Sequence, residues 1–206
     1  AHSYGQTAEL YNWFFFGGSI GFMQSMESLA DDFVKVKPSF LIAVPRVLNK
    51  IYAGIHQKMH EEGGFKLKLF NSSLKAARKY RLNQGRVGLD TKMMYWIGSK
   101  LVFSKIKERF GGELLGSITG SAQMNEEVTS FFADIGISVY NCYGLSETSP
   151  AITMNSPELN RQGSVGSALE FIEIRIDRSM VDEISDDGEI KVMGPNLMVG
   201  YNNKKE

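Results

Sequence analysis

The feature that most constrains this chain is an alternation. Short apolar runs of strand length, at residues 39–44, 114–119 and 138–142, are separated by stretches with helical spacing. Strands joined through helices must cross over, so they pair in parallel within a sheet covered on both faces. At 206 residues the chain can bury the core that such a layer needs. The helical stretches carry their own boundaries. Residues 4–16 stop at Gly17-Gly18, where glycine takes the left-handed cap conformation, and residues 19–23 read as a short strand. Leu29, Phe33 and Val36 share one face of a helix over 27–36. Pro45 suits the first turn of a helix that runs to about residue 60 and stops at Gly63-Gly64. From 65 to 109 the pattern is helical, broken near Gly85 and Gly88, with Leu67, Phe70, Leu74 and Ala77 forming a core-facing stripe. Asn125 caps a further helix that carries Glu126 and Glu127 in its first turn.

After Pro157 the texture changes. Residues 171–176 alternate strictly, and 184–193 hold a second strand with a turn at Asp186-Asp187-Gly188. That is antiparallel, half-exposed patterning. The expected fold class is therefore α/β: a mostly parallel sheet flanked by helices, running into the start of an antiparallel β-barrel-like subdomain. The boundary falls near Gly166–Glu170, giving an α/β part over 1–168 and the start of the second part over 169–206.

Charge and cysteine usage narrow the function classes. Lys plus Arg and Asp plus Glu balance at 23 each, so no global field recruits nucleic acid. The single cysteine, Cys142, leaves no intramolecular disulfide and fits a reducing, cytoplasmic setting. The most apolar stretch, residues 13–23, is eleven residues long with three glycines, too short to span a bilayer, and no secretory signal opens the chain. Its abrupt start and stop read as the ends of a piece.

One pentapeptide concentrates chemistry. Tyr143-Gly144-Leu145-Ser146-Glu147 follows the 138–142 strand and gathers a ring, a glycine, a hydroxyl and a carboxylate. A nucleotide needs such groups: a face for its base, a close backbone approach, a donor for phosphate oxygen and an anion for Mg²⁺. Read blandly, Tyr143 is a core aromatic, Gly144 a turn residue and Glu147 a solvated acid. Gly120-Ser121-Ala122 closes the 114–119 strand, where ligands of open parallel sheets gather, although an ordinary strand-to-helix turn looks the same. His56 and His60 stand four apart on one helix face; with no third ligand in view they read as a solvent-facing surface, and Cys142 reads as a packed thiol. The basic 65–86 helix is a candidate for peripheral membrane contact, against a solvated face balanced by the acidic stretch 182–189. Neither a Gly-x-x-x-x-Gly-Lys-Ser/Thr loop nor a Gly-x-Gly-x-x-Gly is present.

The chain resembles the adenylate-forming superfamily, and within it the long-chain fatty acyl-CoA synthetases. The carrying residues are His2-Ser3-Tyr4 with Thr7-Ala8-Glu9, Val44-Pro45-Arg46-Val47-Leu48-Asn49-Lys50-Ile51-Tyr52, Gly120-Ser121-Ala122, the Tyr143 pentapeptide, and the block from Gly188 through Gly194-Pro195-Asn196-Leu197-Met198-Val199-Gly200-Tyr201. The resemblance implies a fatty acid activated by Mg·ATP as acyl-adenylate and then passed to coenzyme A. It implies that Tyr143 stacks on adenine, with Gly120, Ser121, Ala122, Asn141 and Cys142 around it. Ser146 would bond the α-phosphate and Glu147 would hold Mg²⁺, while His2, Gly120 and Gly144 would line the acyl and CoA pocket. It also places the lysine-bearing phosphate loop before Ala1 and the ribose-binding aspartate and catalytic lysine after Glu206. The 206 residues alone are accordingly expected to turn over little. The alternatives are an adenylating enzyme for another carboxylic acid, or a non-catalytic relative that binds nucleotide or acyl ligand. A strand left as a sheet edge would invite pairing, which makes a homodimer a candidate.

Overall fold

The computed structural model describes residues 4–179 and 187–204. The chain divides into two compact units, one of residues 20–140 and one of Ala1–Ser19 with Asn141–Glu206.

In the 20–140 unit, β1 (Phe40–Ala43) pairs in parallel with β2 (Gly116–Thr119), Phe40 opposite Gly116 and Ala43 opposite Thr119. The start of β3 (Ser138–Tyr143) runs beside β2, where the Ser138 N–H donates to the Leu115 carbonyl. The helices of this unit are those the spacing predicts. They are α2 (Leu29–Val36), α3 (Pro45–Glu62), α4 (Gly64–Leu82), α5 (Leu89–Gly98), α6 (Ser104–Glu108) after a π-helical turn at Ser99–Phe103, and α7 (Glu126–Asp134). Pro45 begins α3 without losing a bond, because the first helical N–H has no intrahelical partner anyway. Asn125 caps α7 by accepting from the Glu127 N–H at 2.8 Å. Their apolar stripes meet in one core of Phe70, Phe103, Phe110, Phe131, Phe132 and Ile137 with their neighbours. Phe70 is fully enclosed, and burying a ring of this size stabilises the fold by roughly 1.5–3 kcal/mol.

Two expectations change in this unit. Residues 19–23 form no strand, because Ser19 and Gly21 leave too few side chains to pack a ladder. Val36 faces solvent at the end of α2, while Leu29 and Phe33 are buried. The polar face of α4 is also more constrained than a solvated helix. Arg78 and Arg81 both reach Asp134 at the end of α7, Nε to carboxylate at 3.1 and 2.8 Å, and Asp134 is itself buried.

His56 corrects the surface reading of the histidine pair. It is half-buried among Tyr52, Phe70 and Phe131, with ring centroids 4.3, 5.2 and 5.3 Å away, whereas His60 is exposed. A helix face four residues long looked polar from spacing alone, but α7 supplies an aromatic wall only in the folded state. Burial lowers the His56 pKa below its ordinary 6.5, Glu127 opposing that shift and His60 adding to it. The folded pKa lies below the unfolded one, so the neutral ring contributes its full stability above about pH 6.5 and loses it as pH falls from there through the lower folded value. Thermal melts of the wild type are expected to drop between pH 7.5 and 5.5 by more than those of His56→Phe. Equal drops in both proteins would contradict this.

In the other unit, a π-helical turn (Gly5–Tyr11) leads into α1 (Asn12–Phe15), which ends as expected, with the Gly18 N–H on the Trp13 carbonyl at 2.7 Å. The second half of β3 pairs antiparallel with β4 (Thr153–Met154), and β4 with β5 (Ser167–Ala168). These two-residue strands were not expected. Gly166 makes them possible: at φ +83° a Cβ there would sit 2.0 Å from the Met154 carbonyl carbon. The expected antiparallel hairpin is present as β6 (Glu173–Asp177) and β7 (Glu189–Met193), in register from Glu173–Met193 to Asp177–Glu189. Lys191 pairs with Asp177 across it. Residues 180–186, which carry part of the predicted second strand and acidic stretch, lie outside the described residues. Among the described residues no helix is long and apolar enough to cross a membrane.

Candidate functional site

Strand β3 delivers Asn141, Cys142 and Tyr143 to a tight turn. Each is half-buried. The Asn141 carbonyl accepts from the Asn155 N–H at 2.9 Å and the Tyr143 carbonyl from the Ile152 N–H at 2.8 Å, which fixes the strand end against the returning chain. The Asn141 side chain reaches the Ser164 carbonyl through Nδ2, while its Oδ1 is buried without a hydrogen-bond partner. A buried acceptor left open in this way is costly unless something donates to it. Burial pushes the Cys142 thiol up, with a hydrogen bond from Tyr4 opposing, so it is a packed thiol and not a nucleophile.

Beyond Tyr143 the chain folds on itself. A Cβ on Gly144 would lie 1.8 Å from the Pro150 carbonyl oxygen and 2.7 Å from Ala151 Cα, so only glycine fits. The close approach that Gly144 permits is thus made, on that face, by the protein's own backbone. A single 3₁₀ turn, Ser146–Thr148, follows, and the Thr148 hydroxyl accepts from the Leu145 N–H at 2.9 Å and lies 2.8 Å from the Pro150 carbonyl. Ser146 is exposed and Glu147 half-buried at the outer side of this turn.

What holds Glu147 in place was not legible from the pentapeptide. The block at 194–201 docks on the turn: the Met198 N–H donates to the Glu147 carbonyl at 2.9 Å, and Asn196 Nδ2 donates to the carbonyls of Thr148 and Ala151 at 2.6 and 3.3 Å. The Tyr201 hydroxyl donates to Glu147 Oε1 at 2.6 Å. That bond, above all, lowers the Glu147 pKa from its ordinary value. The sequence signal for this was the Gly188–Tyr201 block itself, which marked the residues but not their partner 54 positions earlier.

The other predicted segment lies in the 20–140 unit. Gly120 is buried directly after β2, Ser121 is exposed at φ +69°, and Ala122 is exposed. Beside them the Thr119 hydroxyl is buried with no hydrogen-bond partner. Asn141, Cys142, Tyr143, Gly144, Ser146 and Glu147 are therefore gathered on one strand and turn, and Gly120, Ser121 and Ala122 on another. His2 lies outside the described residues.

Among the described residues no cluster of three or more His, Cys, Asp or Glu side chains is placed to enclose a metal. The donor set at the turn is one ionised carboxylate next to a hydroxyl. This suits Mg²⁺, which is commonly bound through one or two carboxylates with water and substrate phosphates completing its octahedron.

Residues 1–202 match the family described as AMP-binding enzyme. The chain belongs to the AMP-binding enzyme family. Relatives of this AMP-binding chain include the peroxisomal long chain acyl-CoA synthetase 6 of Arabidopsis thaliana, 32% identical over 98% of this chain. Another is the long-chain-fatty-acid–CoA ligase 5 of Rattus norvegicus, 33% identical over 90% of it. The chain spans 29% of the former and 27% of the latter. Solved structures share the fold. The o-succinylbenzoate CoA synthetase of Bacillus subtilis in complex with ATP and magnesium ion has a TM-score of 0.59 at 22% identity, covering 98% of this chain and 33% of that one. The same synthetase with its acyl-adenylate intermediate gives 0.61 at 21% identity over 99% and 32%. The AMP-binding family thus has the α/β architecture that the alternation of strands and helices predicts.

Proposed function

We propose that the protein to which this chain belongs is an ATP-dependent long-chain-fatty-acid–CoA ligase, and that the Tyr143–Glu147 turn is part of its adenylation site. The observation that carries the reading is the Glu147 carboxylate, oriented by the Tyr201 hydroxyl in the turn that follows a strand with an open acceptor at Asn141 Oδ1. The names of the long-chain acyl-CoA relatives support the acyl class.

In the first half-reaction a carboxylate oxygen of the fatty acid attacks the α-phosphorus of ATP, and pyrophosphate leaves with the electron pair of the broken P–O bond. In the second, the sulfur of CoA attacks the acyl carbonyl and AMP departs, the thiol proton passing to solvent. Neither half-reaction requires the chain to form a covalent intermediate, so its task is positioning and charge stabilisation. Tyr143 supplies a face for adenine, and the open Asn141 Oδ1 is an acceptor for the exocyclic amine. Cys142 stands beside them on the strand, and Gly120, Ser121 and Ala122, at their own strand end, are assigned to nucleotide binding. Ser146 donates to an α-phosphate oxygen. Glu147 would hold Mg²⁺, which when bound neutralises charge on the phosphates. His2, Gly120 and Gly144 are assigned to the acyl and CoA pocket, and residues 169–206 to the start of a barrel-like subdomain.

Fatty-acid-dependent ATP–pyrophosphate exchange on the full reading frame, across short to long acids, tests this. Exchange should peak with long chains and fall by about 100-fold or more in Glu147→Gln, as removal of one electrostatic contact at a reacting phosphate does. No exchange with any acid, or exchange unchanged by Glu147→Gln in a folded protein, would overturn the reading.

A further inference from the structure

The block at 194–201 takes no direct part in either half-reaction, yet it is built onto the turn that carries Glu147. It starts at the end of β7, where the Leu197 N–H donates to the Gly194 carbonyl at 3.4 Å. A Cβ on Gly194 would fall 3.2 Å from the Phe171 carbonyl oxygen, so this bend lies tight against the chain entering β6. From that base Asn196 and Met198 hold the turn through its backbone carbonyls at Glu147, Thr148 and Ala151. Such bonds form whatever side chain stands at 147. Tyr201 differs, because its hydroxyl reaches the carboxylate itself. Core packing does not account for a ring here, since Tyr201 is 52% exposed.

The kind of donor says what the bond does. Asp134 is held by Arg78 and Arg81, and Asp177 by Lys191, so the charge of each is matched by a cation. A phenol hydroxyl is uncharged at neutral pH, so Tyr201 orients Glu147 and leaves its negative charge for a ligand. A glutamate at a surface turn otherwise samples several rotamers, which a cation has to freeze on binding. Here one rotamer is already held. With Oε1 taken by Tyr201, Oε2 is the oxygen left for a cation. Mg²⁺ commonly takes one or two carboxylates, with water and phosphate oxygens as its other ligands. Donors placed behind a metal-binding carboxylate in this way tune its affinity.

We propose that Tyr201 is a positioning residue for magnesium-linked nucleotide binding: its hydroxyl holds the Glu147 carboxylate so that Oε2 is the oxygen offered to the cation. The 194–201 block is then a brace for the adenylation site, with Tyr201 at its tip. The inference rests on the reading of Glu147 as the carboxylate that holds Mg²⁺, and adds to it a residue that the Tyr143–Glu147 motif does not contain.

The test is calorimetric titration of the full reading frame with ATP, without fatty acid or CoA, once in excess Mg²⁺ and once in EDTA. The dissociation constant in EDTA divided by that in Mg²⁺ isolates the Mg²⁺-linked part of the affinity, and in the wild type this ratio is expected to exceed one. Tyr201→Phe keeps the ring and should reduce the ratio about tenfold. ATP binding in EDTA and the melting temperature should stay as in the wild type. Glu147→Gln should reduce the ratio as well, and adding Tyr201→Phe to it should change nothing further. Tyr201→Phe weakening ATP binding equally in Mg²⁺ and in EDTA would give Tyr201 a merely structural role and overturn the proposal. So would a Tyr201→Phe ratio at or above the wild-type value, or an equal loss with and without Glu147. If the wild type shows no Mg²⁺-linked affinity, or Glu147→Gln leaves the ratio unchanged, the magnesium assignment falls together with the proposal. If Glu147→Gln lowers the ratio and Tyr201→Phe does not, only the positioning role falls.

Discussion

Gly144→Ala is expected to be among the most damaging single-atom additions this chain can receive. The added carbon would stand 1.8 Å from the Pro150 carbonyl oxygen; its position is fixed by the backbone and its neighbour is backbone, so no rotamer change relieves the overlap. Relief requires the 150–151 segment to move away. That segment carries the bonds that close the turn: Ile152 N–H to the Tyr143 carbonyl, and the Ala151 and Thr148 carbonyls to Asn196. We expect a loss of about 3 kcal/mol, seen as a melting temperature lower by roughly 6–12 °C for a chain of this size. ATP–pyrophosphate exchange should fall with it, because Glu147 loses its support. An alanine variant with wild-type melting would mean that the turn is not packed as described.

The second large effect concerns the charge beneath α4. Asp134 is buried, and its carboxylate is neutralised by two guanidinium groups, Arg81 more enclosed than Arg78. Removing both arginines leaves a buried anion without a partner, which typically costs about 3–5 kcal/mol. Arg78→Ala/Arg81→Ala should therefore shift the urea midpoint strongly at constant slope, and Arg81→Ala alone should cost more than Arg78→Ala. A double variant within about 1 kcal/mol of wild type would show that the surrounding water already carries this charge.

Some of the molecule could be read from order along the chain. The strand-length apolar runs became β1, β2 and β3, Pro45 and Asn125 began their helices where local chemistry places them, and Phe70 and Ala77 lay on the buried stripe. Such features depend on periodicities of two and 3.6 residues and on caps, which are local properties of the backbone. The pentapeptide was likewise visible because it sits at a strand end. Residues 19–23 misled for the same reason: short apolar content without a partner ladder looks like a strand.

Other features came only with the third dimension. A two-residue strand such as β4 or β5 has no period to detect, and it exists because Gly166 lets one backbone lie on another. Sequence spacing placed His56 on a polar face, and α7, seventy-odd residues away, turned that face into an aromatic pocket. By itself the sequence determined the longer elements, their order and the family to which they belong. Tertiary structure alone decided that Gly144 accommodates the chain's own carbonyl and that Tyr201 holds Glu147. Contacts between distant residues are set by which surfaces exclude water together, and that is a property of the assembled core and not of any window along the chain.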